Sequence, residues 1–262
     1  MNITIIGGGN LGTAIASGLL KKKFCKAEEI TITKRNPDTL ASFKQMGITI
    51  TSDNNAAVKN ADVIILAVKP FQAKEVLEAI QHSYKSGNIL LCSVVTGFLI
   101  NQIKESVPSH ISVVRAMPNT AIAIGESMTC LSTDTINADQ KLYIENLFNQ
   151  LGKVVFIQEN LMDAATVLGA CGIAYALRFI RANIQGGIEI GFDATTATLI
   201  ASQTVKGAAE LLIQTGHHPE QEIDKVTTPK GCTIAGLNEM EHQGFSSSLI
   251  KGLTVSYQKI GK

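Results

Sequence analysis

The sequence has almost no net charge: its 262 residues carry 23 Lys and Arg against 22 Asp and Glu, a formal balance of +1. So even a balance offers neither the basic surface that nucleic acid requires nor a polybasic membrane anchor. Lys21-Lys22-Lys23 is a short run at a helix end, where cations suit the dipole. A cysteine pattern is also lacking. Cys25, Cys92, Cys130, Cys171 and Cys232 are scattered and odd in number, with no C-x-x-C pair and no Cys/His cluster. That argues against a disulfide framework and against a zinc or other metal site, and suits a reducing, cytoplasmic compartment. No leader is expected, because the first residues pass directly into a strand. No membrane span is expected either: the longest nearly apolar run, Ala164 to Leu177, is too short and is followed by Arg178 and Arg181. Repeats and low-complexity segments are absent. At 45% hydrophobic residues, the chain can bury a sizeable core and is long enough for two domains.

What is present begins at once. Asn2-Ile-Thr-Ile-Ile-Gly7-Gly8-Gly9-Asn10-Leu11-Gly12 reads as a buried strand, a tight turn and the start of a helix over Ala14 to Leu20. Gly7, Gly9 and Gly12 fill the G-x-G-x-x-G spacing. Gly7 lets the chain turn off the strand, Gly9 leaves the backbone open to a pyrophosphate, and Gly12 lets helix and strand pack closely. The helix N-terminus then offers free N–H groups and its positive dipole end to the phosphates.

The second strand, Glu29 to Thr33, ends in Lys34-Arg35-Asn36-Pro37. An NAD-preferring site places Asp or Glu there for the ribose 2′-hydroxyl. Two cations stand instead, and Arg35 can grip a 2′-phosphate through charge-assisted hydrogen bonds of ~1.5–3 kcal/mol. NADPH is therefore the expected cofactor, with NADH weaker; the competing reading is a pair of solvated loop charges. A helix over Pro37 to Met46 leads to a third strand, Ile48 to Ile50, and a short helix over Ala56 to Lys59. Ala61 to Pro70 carries an unbroken apolar run, Val63 to Val68, of the kind that lies inside a parallel sheet. Further strands are expected at Asn88 to Val95 and Ile111 to Arg115. Ser127 to Ser132 and Lys153 to Phe156 are expected as closing edge strands around a helix over Asp139 to Leu151. The alternation describes a doubly wound α/β domain whose ligand crevice lies at the strands' carboxyl ends.

Past Glu159 only helices are expected: Asp163 to Asn183, apolar almost all round; Asp193 to Thr215, capped by Asp193 and ended by Gly216; Pro219 to Val226; one through Met240; and Ser246 to Ile260. So small and hydrophobic a helical domain points to dimerisation.

Four turns form a recognisable set: Gly7-Gly-Gly-Asn-Leu-Gly12, Ala67-Val-Lys-Pro70, Arg115-Ala-Met-Pro-Asn-Thr120 and Thr227-Thr-Pro-Lys-Gly-Cys-Thr-Ile-Ala-Gly236. Over essentially its whole length the chain resembles the pyrroline-5-carboxylate reductase family. The resemblance implies an α/β chain with an N-terminal Rossmann-type doubly wound sheet over residues 1–160, and a C-terminal all-α substrate-binding and dimerisation domain over 161–262. It implies reduction of 1-pyrroline-5-carboxylate to L-proline by hydride from NAD(P)H, in a homodimer that assembles further into a decamer in some members. By motif, the cofactor contacts would be Ile6, Gly7, Gly8, Gly9, Asn10 and Leu11; Arg35 and Asn36; Asn54; Ala67, Val68, Lys69 and Pro70; and Val94, Val95 and Thr96. The substrate contacts would be Glu159, Lys225, Thr228, Cys232 and Thr233. Four departures stand out. Lys230 occupies a usual glycine, Lys225 a usual uncharged polar residue and Ala121 a usual proline. Gly169-Ala-Cys-Gly-Ile-Ala-Tyr175 lacks the usual serine and proline.

Set against that substrate, the Thr228–Thr233 loop runs into a helix N-terminus, a geometry that favours a carboxylate. The N–H groups of Cys232 and Thr233 and the Thr228 hydroxyl would hold it, while the Thr233 hydroxyl reaches the ring nitrogen. The loop contains no histidine and no paired carboxylates, so catalysis is expected from positioning and exclusion of water. Ordinary helix capping competes with that reading for Thr228 and Thr233. For Glu159 a salt bridge at the domain junction competes, and for Cys232 a small inert lining residue. His217-His218 reads as a surface turn. One rival function is a β-hydroxyacid dehydrogenase, which the absence of lysine between Asp163 and Asn183 argues against. Another is an NADP-binding protein with little or no catalysis and a regulatory role.

Overall fold

The computed structural model describes Met1–Ile260. The chain divides into two compact units, Met1–Cys171 and Gly172–Lys259.

The first unit is an eight-stranded sheet flanked by helices. In chain order it runs β1 (Ile3–Ile6), α1 (Asn10–Lys21), β2 (Ile30–Thr33), α2 (Ala41–Gln45), β3 (Thr49–Thr51), α3 (Asn54–Val58), β4 (Val63–Leu66), α4 (Pro70–Ile80) and β5 (Ile89–Ser93). Then come α5 (Ile100–Glu105), β6 (Ile111–Met117), β7 (Ser127–Thr133), α6 (Ala138–Asn149), β8 (Gly152–Phe156) and α7 (Met162–Ala165). The strands lie in the order β3-β2-β1-β4-β5-β6-β7-β8. All pairs are parallel except β6 with β7. The order reverses between β1 and β4, and such a switch point opens a crevice at the strand carboxyl ends.

The central strands are apolar on both faces because both faces are covered. On one face Ile3, Ile5, Ile32 and Ile65 pack with Ile15 and Leu19 of α1 and Phe148 of α6. On the other, Ile64, Leu66, Leu91 and Val113 pack with Val58 of α3, Leu77 of α4 and Ile103 of α5. Each such side chain stabilises the fold by about 1.5–3 kcal/mol.

The sequence expectations need correction in several places. Ser127–Thr133 is not an edge strand. It lies between β6 and β8, because α6 returns the chain to pair β8 parallel on its outer side, and only β8 is left at that edge. The helix expected over Pro37 to Met46 is split: Asn36 accepts from Asp38 N and opens a 3-10 turn, Pro37–Leu40, before α2. The helix expected to end at Asn183 runs on to Glu189 as the end of α8 (Gly172–Glu189), where Ile184 is buried against Ala197 and Ala201. Between α7 and α8 the backbone widens into a π-helix, Thr166–Cys171. Among the described residues this helical run, Glu159–Glu189, is long and apolar enough to cross a membrane by length and composition. Little of it is buried, 11% of its most apolar window. The apolar run expected from the sequence, Ala164 to Leu177, is shorter than this helical run.

The second unit holds α8, α9 (Ala194–Thr215), α10 (Pro219–Lys225), α11 (Cys232–His242) and α12 (Phe245–Lys259). Asp193 caps α9 by accepting from Thr195 N and Thr196 N at 3.0 and 3.1 Å, and Gly216 ends it at φ +66°. The buried apolar cluster here is small: Ile184, Ala197 and Ala201, with Ile180 against them.

Candidate functional site

At the switch point an open cleft of about 1060 Å³ lies over the carboxyl ends of the strands. Its floor is the glycine turn. Gly7 has φ +112°, and a Cβ there would stand 2.4 Å from the Ala67 carbonyl oxygen; one on Gly12 would stand 2.2 Å from that of Gly7. A Cβ on Gly9, by contrast, would meet nothing within 4 Å. The turn is thus packed tightly from below and open above. Gly9 is the N-cap of α1 and supplies no side-chain cap, which leaves the first N–H groups of the helix free for an anion. Gly7 N and Gly8 N both donate to Thr33 O, at 3.2 and 2.8 Å, so the turn is tied to the tip of β2. Lys34 N donates to Thr51 O at 3.0 Å and ties that tip to β3.

Most of the expected cofactor residues line this one cleft. Ile6 to Leu11 form its floor, Arg35 and Asn36 the β2 tip and Asn54 the start of α3, while Ala67 to Lys69 and Val94 follow β4 and β5. Pro70, Val95 and Thr96 stand outside the lining. Strand alternation is the reason for Val95: Val94 turns to one face of the sheet and Val95 into the core on the other. The lining also includes residues that the sequence reading did not assign: Thr33, Lys34, Ser52, Gln72, Glu75, Val76 and Ala79. The last four are spaced i, i+3, i+4, i+7 along α4, a stripe that was legible only as ordinary helix surface.

Two buried polar anchors lie in the same unit. Arg115, 1% exposed, donates from Nη1 to Glu159 Oε1 at 2.9 Å. The same oxygen accepts from Ile100 N at 2.7 Å, so Glu159 also satisfies the N-terminus of α5. Arg115 Nε and Nη2 are buried without a hydrogen-bond partner. Asn119 makes four bonds: its N–H to Ser127 Oγ at 3.0 Å, its Oδ1 accepting from Ala121 N at 3.0 Å, its O accepting from Ile122 N at 3.1 Å, and its Nδ2 to Gly169 O in the π-helix at 3.2 Å. The arginine and asparagine of the Arg115–Thr120 motif thus hold the segment from Glu159 to Gly169 against the sheet.

In the second unit, Thr228 to Gly231 form a tight turn, with Gly231 N donating to Thr228 O at 2.9 Å. Pro229 occupies the second position and Lys230, at φ +61°, the third, where glycine is at ease. A Cβ on Gly231 would stand 2.6 Å from Thr228 Oγ1. Gly231 is the N-cap of α11 without a side-chain cap, so the N–H groups of Cys232 and Thr233 point out of the helix start. Cys232 is exposed. Lys225 donates to Glu222 Oε1 at 2.6 Å, and His217 shares that carboxylate at 2.6 Å. Hydrogen bonds from Lys225, then His217, hold the Glu222 carboxyl below the usual carboxylate range. His218 caps α10, accepting from Glu220 N at 3.3 Å. Among the described residues no group of three or more His, Cys, Asp or Glu could hold a metal ion.

Known proteins share this fold. A family model described as pyrroline-5-carboxylate reductase dimerisation matches residues 159–262, and one described as NADP oxidoreductase, coenzyme F420-dependent, matches residues 2–97. Pyrroline-5-carboxylate reductase 2 of Dictyostelium discoideum is 42% identical over 100% of this chain and 92% of its own length. The chain belongs to the pyrroline-5-carboxylate reductase family. Reductase 1 of the same organism is 45% identical over 98% of this chain; the chain spans 49% of that protein's length. A crystal structure of Plasmodium falciparum pyrroline carboxylate reductase with NADP bound superimposes with a TM-score of 0.88 at 28% identity, over 99% of this chain and 96% of that one. Against the family's usual motif, Lys230 is the departure with a visible cost. A non-glycine residue in the left-handed region is disfavoured by roughly 1–2 kcal/mol.

Proposed function

We propose that the chain reduces 1-pyrroline-5-carboxylate to L-proline with NADPH, the closing step of proline synthesis, and that residues 1–160 bind the dinucleotide while 161–262 bind substrate and dimerise. The observation that carries this reading is the open cradle above Gly9. It sits over the uncapped start of α1 and beside Lys34 and Arg35 at the β2 tip. The cradle fits a pyrophosphate because a side chain at Gly9 would fill the space and none does. The two cations fit a 2′-phosphate through charge-assisted bonds. Ile6 to Leu11, Arg35, Asn36, Asn54 and the turns at Ala67 to Pro70 and Val94 to Thr96 would hold the cofactor, which when bound supplies the hydride. The free N–H groups of Cys232 and Thr233 with the Thr228 hydroxyl would hold the substrate carboxylate, and the Thr233 hydroxyl would hydrogen-bond the ring nitrogen. Lys225, already drawn to Glu222, and Glu159, with one oxygen committed to Arg115 and Ile100, would border the substrate through charge. The protein's part is positioning and exclusion of water. The exposed apolar faces of α8 to α12 we assign to a second copy of the chain in a homodimer, with a decamer as the larger assembly and the cytoplasm as the compartment.

The test is NADPH oxidation with 1-pyrroline-5-carboxylate, run beside a 3-hydroxy acid with NADP. Turnover of the imine alone supports the reading. Turnover of the hydroxy acid points to the dehydrogenase alternative, and NADPH binding without turnover of either points to the non-catalytic one. Thr233→Val should cut kcat with little change in thermal stability.

A further inference from the structure

The cleft is electrostatically mixed in a way that its glycine turn does not explain. Lys34, Arg35 and Lys69 line it, and among the described residues one acid, Glu75, lines it with them. None of the four makes an ion pair with another described residue. Glu75 is exposed and opens onto the cleft. It belongs to the α4 stripe of Gln72, Glu75, Val76 and Ala79 that faces the cleft, while Ala73, Leu77 and Ile80 of the same helix turn into the core. Pro70 at the first turn sets the start of that helix, and Ser83 Oγ donates to Asn55 Oδ1 at 2.6 Å, tying the segment after α4 to α3. The stripe therefore lines the cleft from the helix tied to α3, whose first residue, Asn54, lines it too.

We propose that Glu75 sets the cofactor preference of the cleft by opposing the 2′-phosphate that Lys34 and Arg35 attract; this rests on the reading of the cleft as the NADPH site. A 2′-phosphate held by the two cations lies in the field of the Glu75 carboxylate and is repelled by it. A plain ribose hydroxyl feels no such repulsion and can donate to a carboxylate. Glu75 thus weakens NADPH, spares NADH, and keeps the cleft open to both. The charge pattern needs the helix as well as the strand tip, which is why the tip alone overstates the preference.

The test is direct binding of NADPH and of NADH to the full chain by calorimetry at low salt, comparing the unmodified protein with Glu75→Gln and Glu75→Lys. Glu75→Gln should lower the NADPH Kd ~3- to 10-fold and leave the NADH Kd unchanged or raised, Glu75→Lys should move the ratio further the same way, and added salt should shrink both shifts. A ratio of NADPH to NADH affinity unmoved in both variants, with the unmodified protein binding both, overturns the role of Glu75 alone. An unmodified protein that binds neither overturns the reading of the cleft, and this inference with it.

Discussion

The two units are built on opposite terms. Met1–Cys171 closes two large apolar clusters on the two faces of one sheet. Gly172–Lys259 buries three residues and leaves Leu199, Ile213, Ile190 and Ile250 between 60% and 78% exposed. Helices hold their own backbone hydrogen bonds, but most helical stability in proteins comes from packing an apolar face. The first unit meets that need internally. The second presents its apolar faces outward, which is the condition of a subunit interface cut open. Burial within the chain therefore accounts for the first unit, and under the proposed homodimer a second copy would supply it for the other.

The largest effect that would break this contrast is a charge on the outward face. Leu199→Asp or Ile213→Asp should shift the protein from dimer to monomer in light scattering, with the far-UV signature of the sheet unit retained. A stable dimer in both would show that these faces serve something else. Next, Phe148→Ala removes a fully buried ring beneath the sheet and should cost ~3–5 kcal/mol in denaturant unfolding, independent of protein concentration. A concentration-dependent loss would mean that the first unit also leans on a partner. Lys230→Gly relieves a left-handed backbone and should stabilise by ~1 kcal/mol in thermal unfolding. A loss of stability there would mean that the lysine side chain more than offsets its strain.

The smallest effect is a pH dependence. The Thr196 hydroxyl, then the N–H groups of Thr196 and Thr195, hold the Asp193 carboxyl below its ordinary range. A carboxylate lowered on folding stabilises the native state above its unfolded pKa and loses that contribution as pH falls through the folded value. Asp193→Asn should flatten the acid limb of the melting curve of the helical unit and leave neutral pH little changed.

Much of this was legible in the linear chain because it is local. The glycine spacing after an Ile-rich strand, the cations at the β2 tip, and the Asp193 and Gly216 caps need only neighbours a few residues away. The α4 stripe was not legible, since a helix shows its spacing in sequence but not which face meets a cleft. Nor was Arg115 with Glu159, 44 residues apart, nor the inner place of β7, which depends on where α6 returns the chain.

Residue order was enough for the fold class, the phosphate-binding turn and the change from sheet to helices near Glu159, because backbone conformational preference and the alternation of apolar side chains act over short range. Folding in three dimensions was needed to settle which residues share a cleft, to face Glu75 toward the space that Arg35 also lines, and to bury Arg115 against Glu159. Those facts arise from packing between distant segments, where shape and charge meet that no short stretch of chain contains.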